Sequence, residues 1–137
     1  MLNKLIIIRG VPGSGKTTIA KMMMKESKEP IKHYEADMFL MEGGVYKFDV
    51  SKLGQAHNWC RSNTFKSLSE GFTVIVSNTF TTLSEMKDYI DYAKNNNIPV
   101  EVYRTDSQYK SIHNVPDATI KKMEARFQDY AGETLIG

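Results

Sequence analysis

Residues 10 to 17 read Gly-Val-Pro-Gly-Ser-Gly-Lys-Thr, in which two glycines separated by four residues are followed by lysine and a hydroxyl residue. This spacing is typical of a loop whose backbone N–H groups surround phosphate oxygens. The run Leu5-Ile6-Ile7-Ile8 before the loop has the composition of a buried strand, and an amphipathic stretch after Lys16 predicts a helix. A strand, a glycine-rich loop and a helix N-terminus together predict a polyphosphate-binding site.

Each position of this loop has an expected role in binding a nucleoside triphosphate. Gly10, Gly13 and Gly15 are expected to allow positive φ and a close approach of the backbone to phosphate oxygens. Lys16 is expected to contact the β- and γ-phosphates, and the Thr17 hydroxyl to bind a magnesium ion that keeps most of its waters. The expected ATP-binding residues, with a further phosphate contact at Thr18, are Gly10, Val11, Pro12, Gly13, Ser14, Gly15, Lys16, Thr17 and Thr18. A strand-to-helix turn that binds nothing is the alternative.

Length and composition indicate one domain, residues 1–137. The chain has 137 residues, of which 41% are hydrophobic and 25% charged, as in ordinary globular proteins. No apolar run is long enough to cross a bilayer, and the first strand begins too close to Met1 for a secretory signal, so we expect a cytoplasmic protein. The net charge of +2 is too small to indicate nucleic-acid binding by itself, and the single Cys60 excludes an internal disulfide.

Strand and helix patterns alternate along the whole sequence. Further strands are predicted at residues 31–34, 72–77 and 100–103, and helices follow the strands. Right-handed crossovers then give a three-layer α/β fold, with a four-stranded parallel sheet in the order 2-3-1-4 and helices on both faces. Because ligands of such sheets bind beyond the carboxyl ends of the strands, the loop, Asp37 and residues 77–79 are expected at one edge.

Four segments of the sequence resemble the P-loop kinases grouped around the phage polynucleotide 5′-hydroxyl kinase domain, which include small AAA-like ATP-binding proteins of phages. The segments are residues 10–17, Glu-Ala-Asp-Met-Phe at 35–39, Val-Ile-Val-Ser-Asn-Thr at 74–79 and Ile-His-Asn-Val-Pro at 112–116. The resemblance implies a P-loop kinase fold, ATP and Mg²⁺ as cofactors, and transfer of the γ-phosphate to a hydroxyl. The implied acceptor is the 5′-hydroxyl of a polynucleotide or nucleotide, with single-stranded nucleic acid as a partner.

The same resemblance implies roles for two residues near the expected edge. Asp37 matches the general base that takes the proton from the acceptor hydroxyl, and Lys16 is the second expected catalytic residue. An exposed turn aspartate is the alternative interpretation of Asp37. Asn78 matches a position that orders the acceptor loop or a magnesium-bound water, and a polar cap after a buried strand is its alternative.

The sequence departs from this kinase pattern at two places. Such kinases often have an arginine three residues after the base, where this chain has Leu40. They also cover the triphosphate with an arginine-bearing lid, whereas eleven residues separate Tyr103 from Val115, so a short lid is expected. The candidate lid or phosphate contacts are Arg104, Lys110, His113 and Arg126. A solvated outward arginine is the alternative for Arg126, and a structural hydrogen bond the alternative for His113.

The sequence is therefore compatible with three functions. A kinase for a polynucleotide or nucleotide is the first. A kinase for a small metabolite, such as a nucleoside, sugar or antibiotic, is favoured slightly by Leu40. A nucleotide-binding regulatory protein without transferase activity is favoured by the short lid. The sequence does not define an oligomeric state.

Overall fold

The computed structural model describes residues 3–42, 45–46, 50–105 and 117–136, with the backbone alone at residues 42, 45, 46, 50 and 117. The helices are α1 (Lys16–Glu26), α2 (Leu53–Ser69), α3 (Leu83–Asn95) and α4 (Asp117–Arg126), with 3-10 turns at Ala36–Leu40 and Val50–Lys52. The strands are β1 (Leu5–Arg9), β2 (Ile31–Tyr34), β3 (Met41–Glu42), β4 (Val45–Tyr46), β5 (Thr73–Asn78), β6 (Val100–Thr105) and β7 (Thr134–Ile136).

Five of the strands form one parallel sheet in the order β2-β5-β1-β6-β7. The predicted α/β fold and the predicted order of the first four sheet strands are confirmed. The predicted count of four is wrong, because β7 adds to β6 with Leu135 opposite Arg104. With three residues, β7 is too short to give a recognisable apolar run, and its place depends on pairing with β6.

The central strand β1 packs into two cores. Leu5 and Ile7 face the core that includes residues of α2 and α3, whereas Ile6 and Ile8 pack with Ala20 of α1 on the opposite face. The β1 residues 5–8 are at most 4% exposed, and burying each such side chain contributes about 1.5–3 kcal/mol. The sheet is therefore covered by helices on both faces, and β1 delivers the loop after Arg9 to the carboxyl edge.

The ends of two neighbouring strands fix the start of the phosphate-binding loop. The Gly10 N–H donates to the Thr79 carbonyl across 3.2 Å, joining the loop to the end of β5. Gly15, with φ of 92°, is the residue at which the loop enters α1. Within the ranges given above, no helix has the length and apolar character that a membrane crossing requires.

Candidate functional site

The three loop glycines do not all serve the same purpose. Gly13 and Gly15 have φ of 79° and 92°, as predicted. The prediction of a positive φ is wrong for Gly10, which is not among the residues with positive φ. A Cβ on Gly10 would instead overlap the side-chain oxygens of Thr105 and Ser14, so close packing is what requires glycine at this position.

Thr105, the last residue of β6, contacts both the residue before the loop and a residue within it. Its hydroxyl donates to the Arg9 carbonyl across 3.3 Å and contacts the Ser14 hydroxyl, which is therefore the donor of that second contact. Ser14 is 1% exposed and Thr105 is 7% exposed. Sequence reasoning missed Thr105, because no motif marks it and its importance arises only from the pairing of β6 with β1.

The Lys16 ammonium lies over the loop itself. Its Nζ donates to the Gly10 carbonyl across 2.9 Å and to the Val11 carbonyl across 3.0 Å. Burial lowers the pKa of Lys16 to about 8, an effect that the charges of Glu35 and Asp37 partly oppose. A cation held beside the N-terminus of α1 is well placed to bind an anion.

The next loop residue, Thr17, meets a carboxylate that the sequence prediction did not use. Its Oγ1 donates to Glu35 Oε2 across 2.8 Å, and Ser77 Oγ donates to the same oxygen across 2.7 Å. Because the Ser77 proton goes to Glu35, His33 Nε2 donates to Ser77 Oγ, at 2.8 Å, and it lies 3.4 Å from Glu35 Oε2. Burial acts to raise the pKa of Glu35, but the contacts with His33, Ser77 and Thr17 lower it to about 2.

A sequence signal for Glu35 does exist. His33 and Glu35 are two residues apart at the end of a short strand, so their side chains lie on one face, and the carboxyl edge of that strand is where ligands bind. The hydroxyl of Thr17 and the carboxylate of Glu35 form an oxygen set that fits Mg²⁺. Within the described parts of the chain, no group of three or more His, Cys, Asp or Glu side chains could hold a metal ion. Mg²⁺ generally keeps several of its waters when a protein binds it.

Asp37 lies in the 3-10 turn after β2, and Asn78 sets the position of that turn. Asn78 Oδ1 accepts from the Ala36 N–H across 2.8 Å, and Nδ2 donates to Cys60 Sγ across 3.6 Å. Asn78 is 7% exposed, and its contact with Ala36 fixes the position of the turn that carries Asp37. Leu40, at the end of the turn, is 3% exposed and belongs to the core.

The two arginines predicted to contact phosphate lie on β6 and α4. Arg104 Nη1 donates to Asp129 across 2.5 Å and to Glu133 across 3.4 Å, and its guanidinium lies 4.3 Å from the Phe127 ring centroid. Arg126, on α4, is exposed. Neither arginine has a hydrogen bond to the loop among the described residues.

The other predicted contacts differ in burial. Thr18 is exposed in the first turn of α1, whereas Val11 and Pro12 are half-buried. Lys110 and His113 lie outside the described residues.

The chain matches a known protein family, and it is similar in sequence to curated proteins. A family model described as AAA domain matches residues 5–130. The chain is 27% identical over 142 aligned positions to NEDD4-binding protein 2 of Homo sapiens, a match that covers 96% of this chain and 8% of that protein. The chain thus spans less than a tenth of the length of this relative.

Many solved structures share the fold, and two of them are compared below. A chain in the structure of the Pnkp1/Rnl/Hen1 RNA repair complex superposes with a TM-score of 0.72 at 18% identity, covering 93% of this chain and 44% of that chain. A sugar kinase from Janibacter sp. HTCC2649 superposes with a TM-score of 0.64 at 18% identity, covering 98% of this chain and 83% of that chain. At these identities the similarity shows a P-loop kinase-like fold.

Proposed function

This chain belongs to the AAA domain family, and we propose that it is an ATP-dependent kinase that transfers the γ-phosphate of ATP to a hydroxyl, foremost the 5′-hydroxyl of a polynucleotide or nucleotide. One observation carries the proposal. Lys16 and Thr17 begin α1, and Asp37, from the turn after β2, lies close enough for its charge to act on the Lys16 ammonium. A cation, a hydroxyl and a carboxylate in this arrangement are the groups that phosphoryl transfer requires.

The loop holds the triphosphate in this proposal. The N–H groups at the start of α1 and the Lys16 ammonium offset the negative charge of the phosphates. Lys16 now donates to the Gly10 and Val11 carbonyls, so its ammonium already lies at the loop that the phosphates would occupy. Thr17 would bind Mg²⁺, which when bound neutralises charge on the β- and γ-phosphates.

Asp37 acts on the acceptor. The acceptor hydroxyl loses its proton to the Asp37 carboxylate, its oxygen bonds to the γ-phosphorus, and the bond to the β,γ-bridging oxygen breaks to leave ADP. The turn that carries Asp37 is fixed by the contact between Asn78 and the Ala36 N–H, which limits the freedom of the base. Holding the base and nucleophile in line contributes to the rate by reducing the entropy lost in reaching the transition state.

Different observations support two candidate classes of acceptor. The fold shared with a chain of an RNA repair complex supports a polynucleotide acceptor. The buried Leu40 favours a second candidate, a kinase for a small metabolite, because this position offers no cation to an acceptor phosphate. The fold shared with a sugar kinase agrees with that second candidate.

Phosphoryl transfer from γ-labelled ATP tests the proposal. The protein is incubated with Mg²⁺ and with 5′-hydroxyl oligonucleotides, nucleosides or sugars, and competition between acceptors separates the two candidates. Asp37→Asn should reduce transfer at least about 100-fold, the contribution typical of a general base. Asp88→Asn, at an exposed carboxylate on α3, is the matched control and should retain activity.

Two results would contradict the proposal in different ways. Unchanged transfer by Asp37→Asn would remove the assignment of the base. Tight ATP binding without transfer to any acceptor would support a nucleotide-binding protein without transferase activity instead.

A further inference from the structure

Glu35 connects the loop hydroxyl to the neighbouring strand β5. Its Oε2 accepts from both Thr17 and Ser77, and the Ser77 oxygen in turn accepts from His33. Among the described residues, its second oxygen, Oε1, has no hydrogen-bond partner, and the side chain is 18% exposed. Two described hydroxyl groups thus hold one carboxylate oxygen, and the other oxygen has no hydrogen bond to a described residue.

We propose that Glu35 is the carboxylate of the magnesium site, acting as a positioning residue that orients the Thr17 hydroxyl and adds negative charge beside the cation. The inference rests on the proposed function, because it concerns the metal that accompanies ATP. It separates the roles of two nearby carboxylates. Glu35 serves the metal, and Asp37 serves the acceptor.

The chemistry of a hydroxyl explains how Glu35 would act through Thr17. A threonine hydroxyl has one proton and two lone pairs. Since the proton is committed to Glu35 Oε2, the lone pairs are directed away from Glu35 and are available to a cation. Oε1, which has no hydrogen bond to a described residue, is suited to accept from a water on that cation, since Mg²⁺ keeps several waters when proteins bind it.

The groups around Glu35 favour its ionised form. The two hydroxyl donors and His33 stabilise the ionised carboxylate, so the charge is present at neutral pH. The side chains of His33 and Glu35 are 7% and 18% exposed, so bulk solvent has little access to the hydrogen bonds between them, Ser77 and Thr17. Partners of this kind around a metal ligand typically change metal affinity 10- to 100-fold.

The test is the effect of Mg²⁺ on nucleotide affinity, which needs no catalysis. ATP binding is measured by calorimetry in EDTA and in excess Mg²⁺ for the wild type, Glu35→Gln and Glu29→Gln. The ratio of the two affinities should fall at least about tenfold in Glu35→Gln. Its affinity in EDTA should stay equal or rise, because a negative charge beside the phosphates is gone. Glu29→Gln, at an exposed carboxylate, should keep the wild-type ratio.

A second variant keeps the test decisive if Glu35→Gln does not fold. Glu35→Asp retains the charge but withdraws it by one methylene group, so the contact with Thr17 lengthens. The Mg²⁺ ratio should then lie between those of the wild type and Glu35→Gln. Binding of Mn²⁺ in the presence of ADP, followed by electron paramagnetic resonance, should weaken in the same order.

The outcomes separate this inference from the proposed function. A wild-type Mg²⁺ ratio in folded Glu35→Gln or Glu35→Asp would overturn the inference and leave ATP-dependent transfer intact. A wild type that binds ATP equally with and without Mg²⁺ would also overturn it. Failure of the wild type to bind ATP in either condition would overturn the proposed function itself, and the inference with it.

Discussion

The buried guanidinium of Arg9 donates from Nη1 to the Glu133 carboxylate across 2.9 Å. Arg9 is the last residue of β1, directly before the phosphate-binding loop, and Glu133 directly precedes β7. Arg9 also donates to the Phe80 carbonyl from Nε and Nη2, at 3.1 and 2.7 Å, and lies 4.4 Å from the Phe127 ring centroid. The base of the loop is therefore joined to a segment that extends beyond residues 5–130 of the family match.

Glu133→Gln should destabilise the protein by about 3–5 kcal/mol, since it leaves the Arg9 charge buried without its counterion. Side-chain exposures of 0% for Arg9 and 10% for Glu133 justify treating the pair as buried. The free energy of unfolding is measured in urea. Glu124→Gln, at an exposed position of α4, is the control and should stay within about 0.5 kcal/mol of the wild type. Equal stability of the two variants would show that the buried Arg9 charge does not need the Glu133 carboxylate.

Gly10→Ala should destabilise the protein by about 1–3 kcal/mol, because the added methyl group overlaps the Thr105 and Ser14 side chains. Thr105→Ala opens that space, so the cost of Gly10→Ala should be at least about 0.5 kcal/mol smaller in the Thr105→Ala background. Unfolding of the two single variants and the double variant completes the cycle.

Gly71→Ala provides the matched control for this cycle. Gly71 has φ of 94° and open space around its added Cβ, so its cost comes from backbone strain. That cost should be the same with threonine or alanine at position 105. A cost of Gly10→Ala that is equally independent of residue 105 would contradict the packing explanation.

The parts of the fold that sequence predicts best are those that local patterns encode. Four consecutive apolar residues in β1 and the glycine spacing of the loop are readable without tertiary information. The strand β7 is not, because Thr134–Ile136 forms a strand only through its pairing with Tyr103–Thr105. Local pattern thus predicts the sheet centre, and tertiary pairing determines its edge.

The residues of the candidate site likewise differ in whether the sequence predicts them. The loop residues follow from their motif, whereas the partners that orient them come from distant strands. Glu35 binds Thr17 and Ser77 from separate elements, and Arg104 binds Asp129 and Glu133 after α4 instead of the loop. An arginine near the end of a strand has the composition of a phosphate ligand, but carboxylates close in space determine where its charge is neutralised.

Asn78→Ala should lower phosphoryl transfer while leaving ATP affinity close to that of the wild type. The change removes the acceptor of the Ala36 N–H, which holds the Asp37 turn, but it does not alter the loop. The lost contact should also cost about 1–3 kcal/mol of stability. Asn78→Asp keeps an oxygen acceptor and should recover part of the rate. Asn96→Ala, at the exposed end of α3, is the control. A proportional loss of ATP affinity would place Asn78 at the nucleotide rather than at the turn.

ATP affinity should fall as the pH rises above about 8, the pKa that burial gives Lys16 in the free protein. The charged ammonium is fully present below this pH, and the phosphates of bound ATP favour the charged form, which raises the Lys16 pKa in the complex. Between the two pKa values binding takes up a proton, so affinity should fall by up to about tenfold per pH unit. Calorimetry in EDTA from pH 7 to 9.5, in buffers of different ionisation enthalpy, measures both affinity and proton uptake. Lys21→Gln, at an exposed position of α1, should reproduce the wild-type profile, whereas constant affinity across this range in the wild type would contradict a role for the Lys16 charge.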